Sequence, residues 1–336
     1  MKKLDETKIW QALYKVTAEL RTLAPWNAFW DMDTVLLDLR PYLKEHPVLC
    51  SIMGHEGSCY GISSYIGLDA CQSFDELATN DDMLPPELIM MEQTCLTLYW
   101  GNREEVPPAQ KAMIKQLGLK FRGRGSWPYF MSYKRGYTPW PMDLKEANTL
   151  VTVLQNLFMS LLAHCSGELT VDFAADEHLI RFYDKKSKQW LNVSGTIDIP
   201  LREYLFPELD DQLLEKRLLK KKRVASEVLF DIAYLNIAIG DGSTRPINPQ
   251  MLIAIDDKSG MLIQARPLDP GQNISEAAMD FVLDYIQNLG RMRAIHVRSL
   301  WVLTAISDFC EKAHIQVIHE PLPEIDEYLE SLRDTL

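Results

Sequence analysis

The sequence predicts an α+β domain followed by an α/β domain built on a mixed five-stranded sheet with strand order 3-2-1-4-5. Three observations lead there. The chain has 336 residues, which at roughly 100 to 200 residues per domain means two domains. Hydrophobic residues make up 47% and charged residues 24%, the balance of a folded globular chain, which sets aside long disorder and fibrous architectures. Past residue 225 the apolar pattern runs strand, strand, strand, helix, strand, helix, strand, helix, an order that joins two hairpins to two crossovers.

Taken in chain order, Ile9, Leu13, Val16, Leu20 and Leu23 recur at four- and three-residue steps and mark a first helix that stops before Pro25. Residues 48–66 read as a hairpin turning at His55, Glu56 and Gly57, and Thr94 to Trp100 reads as a further strand. Asp143 and Glu146 stand at capping-box spacing ahead of Leu144, Ala147, Leu150, Val151, Leu154, Leu157, Phe158 and Leu161, so a long helix reaches about residue 164. Three short strands follow in a meander, at 168–173, 178–184 and 189–195. Residues 210–223 are helical and end in Lys220, Lys221, Lys222 and Arg223, cations suited to a helix C-terminus.

The last stretch predicts strands over 228–239, 251–256 and 261–267, a helix over 275–289, a strand over 293–298, a helix over 299–313, a strand over 315–319 and a helix over 324–333. Asp256 to Gly260 makes a tight turn, Ser275 and Ser299 are candidate N-caps, and Gly290 falls where a helix-ending glycine belongs. These elements divide the chain into an α+β domain over 1–166, a β-meander and helical connector over 167–224, and the α/β domain over 225–336.

Function is far less legible. Thirty-five Lys and Arg against 47 Asp and Glu leave a formal charge of -12, which argues against generic coating of nucleic acid and leaves room only for a local basic patch. No apolar run approaches the roughly 20 residues of a membrane span and the first residues lack a signal-peptide core, so a cytoplasmic protein with no membrane partner is expected. The six cysteines form no C-x-x-C pair, and reduced, mostly buried thiols are the expectation. His314 and His319 belong to no metal motif. There is no Walker loop, nucleophile elbow or H-E-x-x-H, and Gly123 and Gly125 lack a third glycine. No cofactor and no metal are expected.

The most unusual segment is 121–140, where Arg122, Arg124, Lys134 and Arg135 interleave with Trp127, Tyr129, Phe130, Tyr133, Tyr137 and Trp140. Cations among flat rings suit an anionic ligand, a single strand of nucleic acid or a protein partner. Arg122, Arg124, Trp127, Tyr133, Lys134 and Arg135 are the candidate binding residues, with the rings of Trp127 and Tyr133 expected to show an exposed face. The bland alternative is that the rings plug a core while the cations are solvated. Asp31, Asp33 and Asp38 flank an apolar run without the spacing of a calcium loop and read as turn carboxylates.

Two resemblances add to this reading. The order of elements past residue 225, with the segment MLIAIDDKSGMLIQARPL, resembles the RNase H-like core of retroviral-type integrases and transposases. The whole chain is similar to a bacterial two-domain family without an assigned activity, through Trp10 to Tyr14, Pro25-Trp26 and the run from Trp127 to Trp140. The first resemblance implies metal-holding carboxylates on the first strand, at the end of the fourth strand and on a late helix. Asp231 matches the first position and is the one catalytic candidate. Arg298 stands where the second carboxylate would be, and Glu324, Asp326, Glu327 and Glu330 offer a third, at a spacing that is equally that of a solvated helix face. A guanidinium in that place opposes metal binding, so the resemblance implies a degenerate domain serving as a binding or interaction module. The competing implication is a metal-dependent nuclease or other phosphoryl-transfer enzyme that uses Asp231.

Overall fold

A computed structural model describes residues 5–335 other than 31, 80–82, 84, 86–88, 90, 205 and 270. The chain divides into two compact units, one of Met1–Thr79, Gln93–Arg135 and Pro139–Leu201, the other of Asn80–Glu92, Gly136–Thr138 and Arg202–Leu336. No helix among the described residues is long and apolar enough to cross a membrane.

In the first unit, helix α1 (Glu6–Leu23) starts at an Asp5 cap whose carboxylate accepts from the Lys8 amide. An eight-stranded sheet follows: β1 (Thr34–Asp38), β2 (Val48–Met53), β3 (Gly61–Ile66), β4 (Cys95–Gly101), β5 (Trp127–Tyr133), β6 (Trp140–Pro141), β7 (His178–Asp184) and β8 (Gln189–Gly195). Their order is β6-β5-β4-β3-β2-β1-β7-β8. Helix α2 (Leu68–Thr79) lies between β3 and β4, helix α3 (Pro108–Gln116) between β4 and β5, and helix α4 (Leu144–Cys165) between β6 and β7. The capping box at α4 is formed in full, with Asp143 Oδ1 accepting from the Glu146 amide at 2.7 Å and Glu146 Oε2 from the Asp143 amide at 3.0 Å. Leu13, Leu20, Leu150, Leu154 and Leu157 of α1 and α4 pack on one sheet face with Val35, Leu37, Ile52, Ile62, Leu98 and Phe130. The opposite face carries Leu49, Tyr65, Cys95 and Tyr133 with Ala70 and Cys71 of α2.

The hairpin over 178–195 is therefore no connector. β7 lies parallel beside β1, Leu37 opposite Arg181, and Leu179 is sealed into the main core of this unit. Nor is there a strand at 168–173, where the chain turns and enters a short 3-10 segment at Phe173–Ala175. The 1–166 and 167–224 boundaries shift for one reason: an apolar strand's partner is chosen by the sheet and is invisible in the strand's own pattern.

In the second unit, helix α5 (Gln212–Leu219) buries Leu218 in the core, and the cations from Lys220 to Arg223 are solvent-exposed. Strands β9 (Glu227–Tyr234), β10 (Gln250–Asp256), β11 (Leu262–Pro267), β12 (Ala294–Val297) and β13 (Gln316–His319) form a mixed sheet in the order β11-β10-β9-β12-β13. Counted along this unit that is 3-2-1-4-5. The β9–β10 and β10–β11 pairs are antiparallel, and β12 is parallel to both β9 and β13. Helices α6 (Ile274–Asn288) and α7 (Leu300–Lys312) cover one face through Val228, Phe230 and Ile232 of β9. Helix α8 (Pro323–Thr335) covers the other, where Leu229 and Ala233 meet Leu322, Ile325 and Leu329. The α6 cap is Asn273, which accepts from the Ser275 and Glu276 amides, so Ser275 lies inside the helix. Ser299 holds the cap position of α7 without a side-chain cap bond. Gly290 has φ +113°, and a Cβ there would stand 2.7 Å from the Lys222 carbonyl oxygen, so only glycine fits.

Candidate functional site

Alternation along β9 places Glu227 and Asp231 on the α8 face with Leu229 and Ala233. β12 runs parallel beside it, with His296 opposite Leu229, and Arg298 is the first residue past that strand. Asp326 comes from the first turn of α8. The three meet: Arg298 Nε donates to Asp231 Oδ2 at 2.7 Å, and Nη1 donates to Asp326 Oδ2 at 2.9 Å. Asp231 is 2% and Arg298 4% exposed. Burial works to lower the Arg298 pKa, and the Asp231 and Asp326 carboxylates more than reverse it, so the guanidinium is held firmly charged. One strand-end further along, His296 sits between two more carboxylates, Nδ1 2.5 Å from Glu320 Oε1 and Nε2 3.3 Å from Glu227 Oε2, and Glu227 also pairs with Arg293.

A divalent cation does not fit this site. Metal chemistry on phosphates needs carboxylate oxygens turned toward an ion, and here Asp231 Oδ2 and the Asp326 carboxylate are turned onto a buried guanidinium while Asp231 Oδ1 accepts from the Ile232 amide at 2.9 Å. Glu324, Glu327 and Glu330 share α8 with Asp326, but Asp326 alone among them reaches Arg298.

The segment from 121 to 140 is resolved into a strand with loops at its two ends. Arg122 and Arg124 are exposed before β5, and Lys134, exposed, and Arg135, half-buried, follow it. A seven-residue strand, roughly 20 Å at the usual rise, separates the two pairs, so the four cations make no single patch. Tyr133 is buried at 7% exposure, its hydroxyl 2.8 Å from that of Tyr99, and burial pushes its phenol well above the usual range. It offers no face to a ligand. Trp127 is half-buried against Phe121, with the Arg103 guanidinium 5.8 Å from its ring. Phe130 plugs the core, and its backbone is completed by buried Gln110, which donates to the Phe130 carbonyl at 2.7 Å and accepts from its amide at 2.9 Å. The side-chain amide of α3 acts there as a surrogate strand. The buried rings of Phe130 and Tyr133 thus serve the core, and the exposed Arg122 and Arg124 stand with Trp127 at one end of the strand.

Asp33 accepts from the Trp30 amide and Asp38 pairs with Arg40, each a local contact, while Asp31 lies outside the described residues. Four of the six free cysteines are buried, and burial pushes the Cys50, Cys95 and Cys310 thiols up to about 12. A cleft of about 400 Å³ opens at the first residues of β1 and β7, where Thr34 Oγ1 lies 3.0 Å from His178 Nδ1, with Leu49, Phe74 and Ile199 in its walls. No spacing in the sequence joins these residues, because the β1–β7 pairing that assembles them spans the whole unit.

No curated protein matches the chain. Among solved structures, it is similar to a chain in the cryo-EM structure of the simian T-cell lymphotropic virus intasome in complex with PP2A regulatory subunit B56 gamma. The likeness has 19% identity and a TM-score of 0.24, over 34% of this chain and 42% of that one. Residues 214–333 match the model of a domain of unknown function (DUF6930). Residues 10–181, more than half of the chain and from the α1 tryptophan to the middle of β7, match that of another domain of unknown function (DUF7309), and the chain belongs to that family.

Proposed function

We propose that the chain is a non-catalytic binding or interaction protein whose C-terminal unit is a degenerate RNase H-like module. The observation that carries this reading is Arg298, bonded at once to Asp231 and Asp326 where such a module would gather metal-holding carboxylates. An ion triad of this kind is worth little as net stabilisation, yet it is costly to break, since removing its centre strands two buried or half-buried carboxylates. It ties β9, β12 and α8 together and engages Asp231 and Asp326 with a cation. Recognition falls to the N-terminal unit, at the corner formed by Arg122, Arg124 and Trp127 with Arg103, which suits an anionic ligand with flat groups, a single-stranded oligonucleotide being the probe.

The test is an assay of the full chain on labelled single- and double-stranded DNA and RNA with magnesium or manganese. No Asp231-dependent cleavage is expected, and a salt-sensitive affinity for the single strand should weaken in the Arg122→Ala, Arg124→Ala double variant. Metal-dependent cleavage that disappears in Asp231→Asn overturns the proposal and establishes a phosphoryl-transfer enzyme instead.

A further inference from the structure

Arg181 is the middle residue of β7, and its register opposite Asn192 of β8 turns both side chains toward α4. The residue is 7% exposed, a depth at which a guanidinium ordinarily has a carboxylate partner. Here it has none. Nε donates to Asn156 Oδ1 at 3.2 Å and Nη1 donates to Asn192 Oδ1 at 3.0 Å. Both amides are oriented by their own donors, Asn156 Nδ2 to the Thr152 carbonyl at 2.9 Å and Asn192 Nδ2 to the Met159 carbonyl at 3.4 Å. Ser160 Oγ adds a further bond to Asn192 Oδ1 at 3.3 Å. Two neutral carbonyl oxygens therefore aim the cation, and no carboxylate of the described residues pairs with it. Trp190 supplies a ring face 5.0 Å from Cζ, and Tyr42 stacks on Trp190 at 5.5 Å with 9° between planes.

The guanidinium has unused capacity. Nη2 makes no hydrogen bond to the described residues and is not sealed from solvent, so this edge of the planar guanidinium fork has donors to spare. A planar fork of that kind matches two oxygens of a carboxylate or a phosphate. A purely structural filler at this place would need no charge, and burial without a counter-ion holds the Arg181 pKa below its ordinary value. The arrangement is a cation positioned by neutral groups, faced by the Trp190 ring on which Tyr42 stacks, with Nη2 reaching solvent. We infer that Arg181 anchors an oxyanion-binding site of the N-terminal unit, taking the carboxylate or phosphate group of a small ligand on that free edge beside Trp190 and Tyr42.

The full-length protein is titrated with sodium phosphate and, separately, sodium acetate, with sodium chloride holding ionic strength constant, and the melting temperature is followed. A saturable rise with at least one of the two oxyanions is expected, and the arm that responds identifies a phosphoryl or a carboxylate ligand. In Arg181→Met the apparent affinity should fall about tenfold or more, the scale of hydrogen bonds to a charged group. Without anion that variant should melt at or above the wild-type temperature, because an uncompensated cation has been removed. Arg181→Lys retains the charge on a different geometry and should keep a reduced response, which decides the matter if the Met variant does not fold. An absent oxyanion response in the wild type, or an undiminished one in Arg181→Met or, failing that, in Arg181→Lys, overturns the inference.

Discussion

Two buried arginines in this chain have opposite environments, and the difference decides what each does. Arg298 is bonded to Asp231 and Asp326 on the α8 face of the C-terminal sheet, whereas Arg181 is bonded to two asparagine carbonyls. Replacing Arg298 by Ala strands the Asp231 carboxylate at 2% exposure, and a loss of ~3–5 kcal/mol is expected in urea unfolding. Replacing Asp231 and Arg298 together by Leu and Met should recover most of that loss, since the apolar pair leaves no buried charge alone. Magnesium or manganese should leave the wild-type melting temperature unmoved, because an ion would have to displace the guanidinium. A rise of several degrees with either metal would contradict that account.

Among the elements, α4 and α7 show how single side chains set a helix. Asp143 and Glu146 close both bonds of the capping box, and Asp143→Ala should cost about 1 kcal/mol by urea denaturation. On α7, Asp308 Oδ2 accepts from the Leu209 amide at 2.7 Å and from Lys312 Nζ at 2.9 Å. The Leu209 bond first, and Lys312 second, hold the Asp308 carboxyl below its ordinary pKa. A carboxylate depressed in the folded state contributes stability above the unfolded value of about 3.9, and that contribution is lost as pH falls through the folded pKa. Asp308→Asn should therefore flatten part of the acid limb of a stability-against-pH curve while leaving its slope above pH 6 unchanged. For β5, the Arg122→Ala, Arg124→Ala pair should alter stability by no more than ~0.5 kcal/mol per site, the usual scale for exposed positions.

At the scale of the whole molecule, each unit has cores of its own. The apolar clusters around α1 and α4 draw only on the first unit, and those around Phe230, which stacks on Phe281 at 4.3 Å, only on the second. Of eight tryptophans, Trp301 alone lies past residue 201. Phe230→Ala, at a position with no exposure, should remove ~3–5 kcal/mol from the second unit. Circular dichroism should register that loss as an early transition, while the fluorescence of the other seven tryptophans keeps its midpoint. A single shifted transition by both probes would show that the cores melt as one.

Local pattern and turn chemistry alone determined much of the architecture. The α1 stripe from Ile9 to Leu23, the Asp143 box, the Asp256–Gly260 turn and the strand–helix order past residue 225 were all legible, because each is written within a few residues by periodicity and capping. Tertiary structure alone decided which strand β7 would join, that Tyr133 would turn inward to Tyr99, and that β5 would part Arg122 and Arg124 from Lys134 and Arg135. It alone brought Arg181, Asn156, Asn192 and Trp190 together from three elements. The physical reason is common to these cases: strand partners and inward faces are fixed by the sheet as a whole, and a residue's own neighbours in sequence carry no record of them.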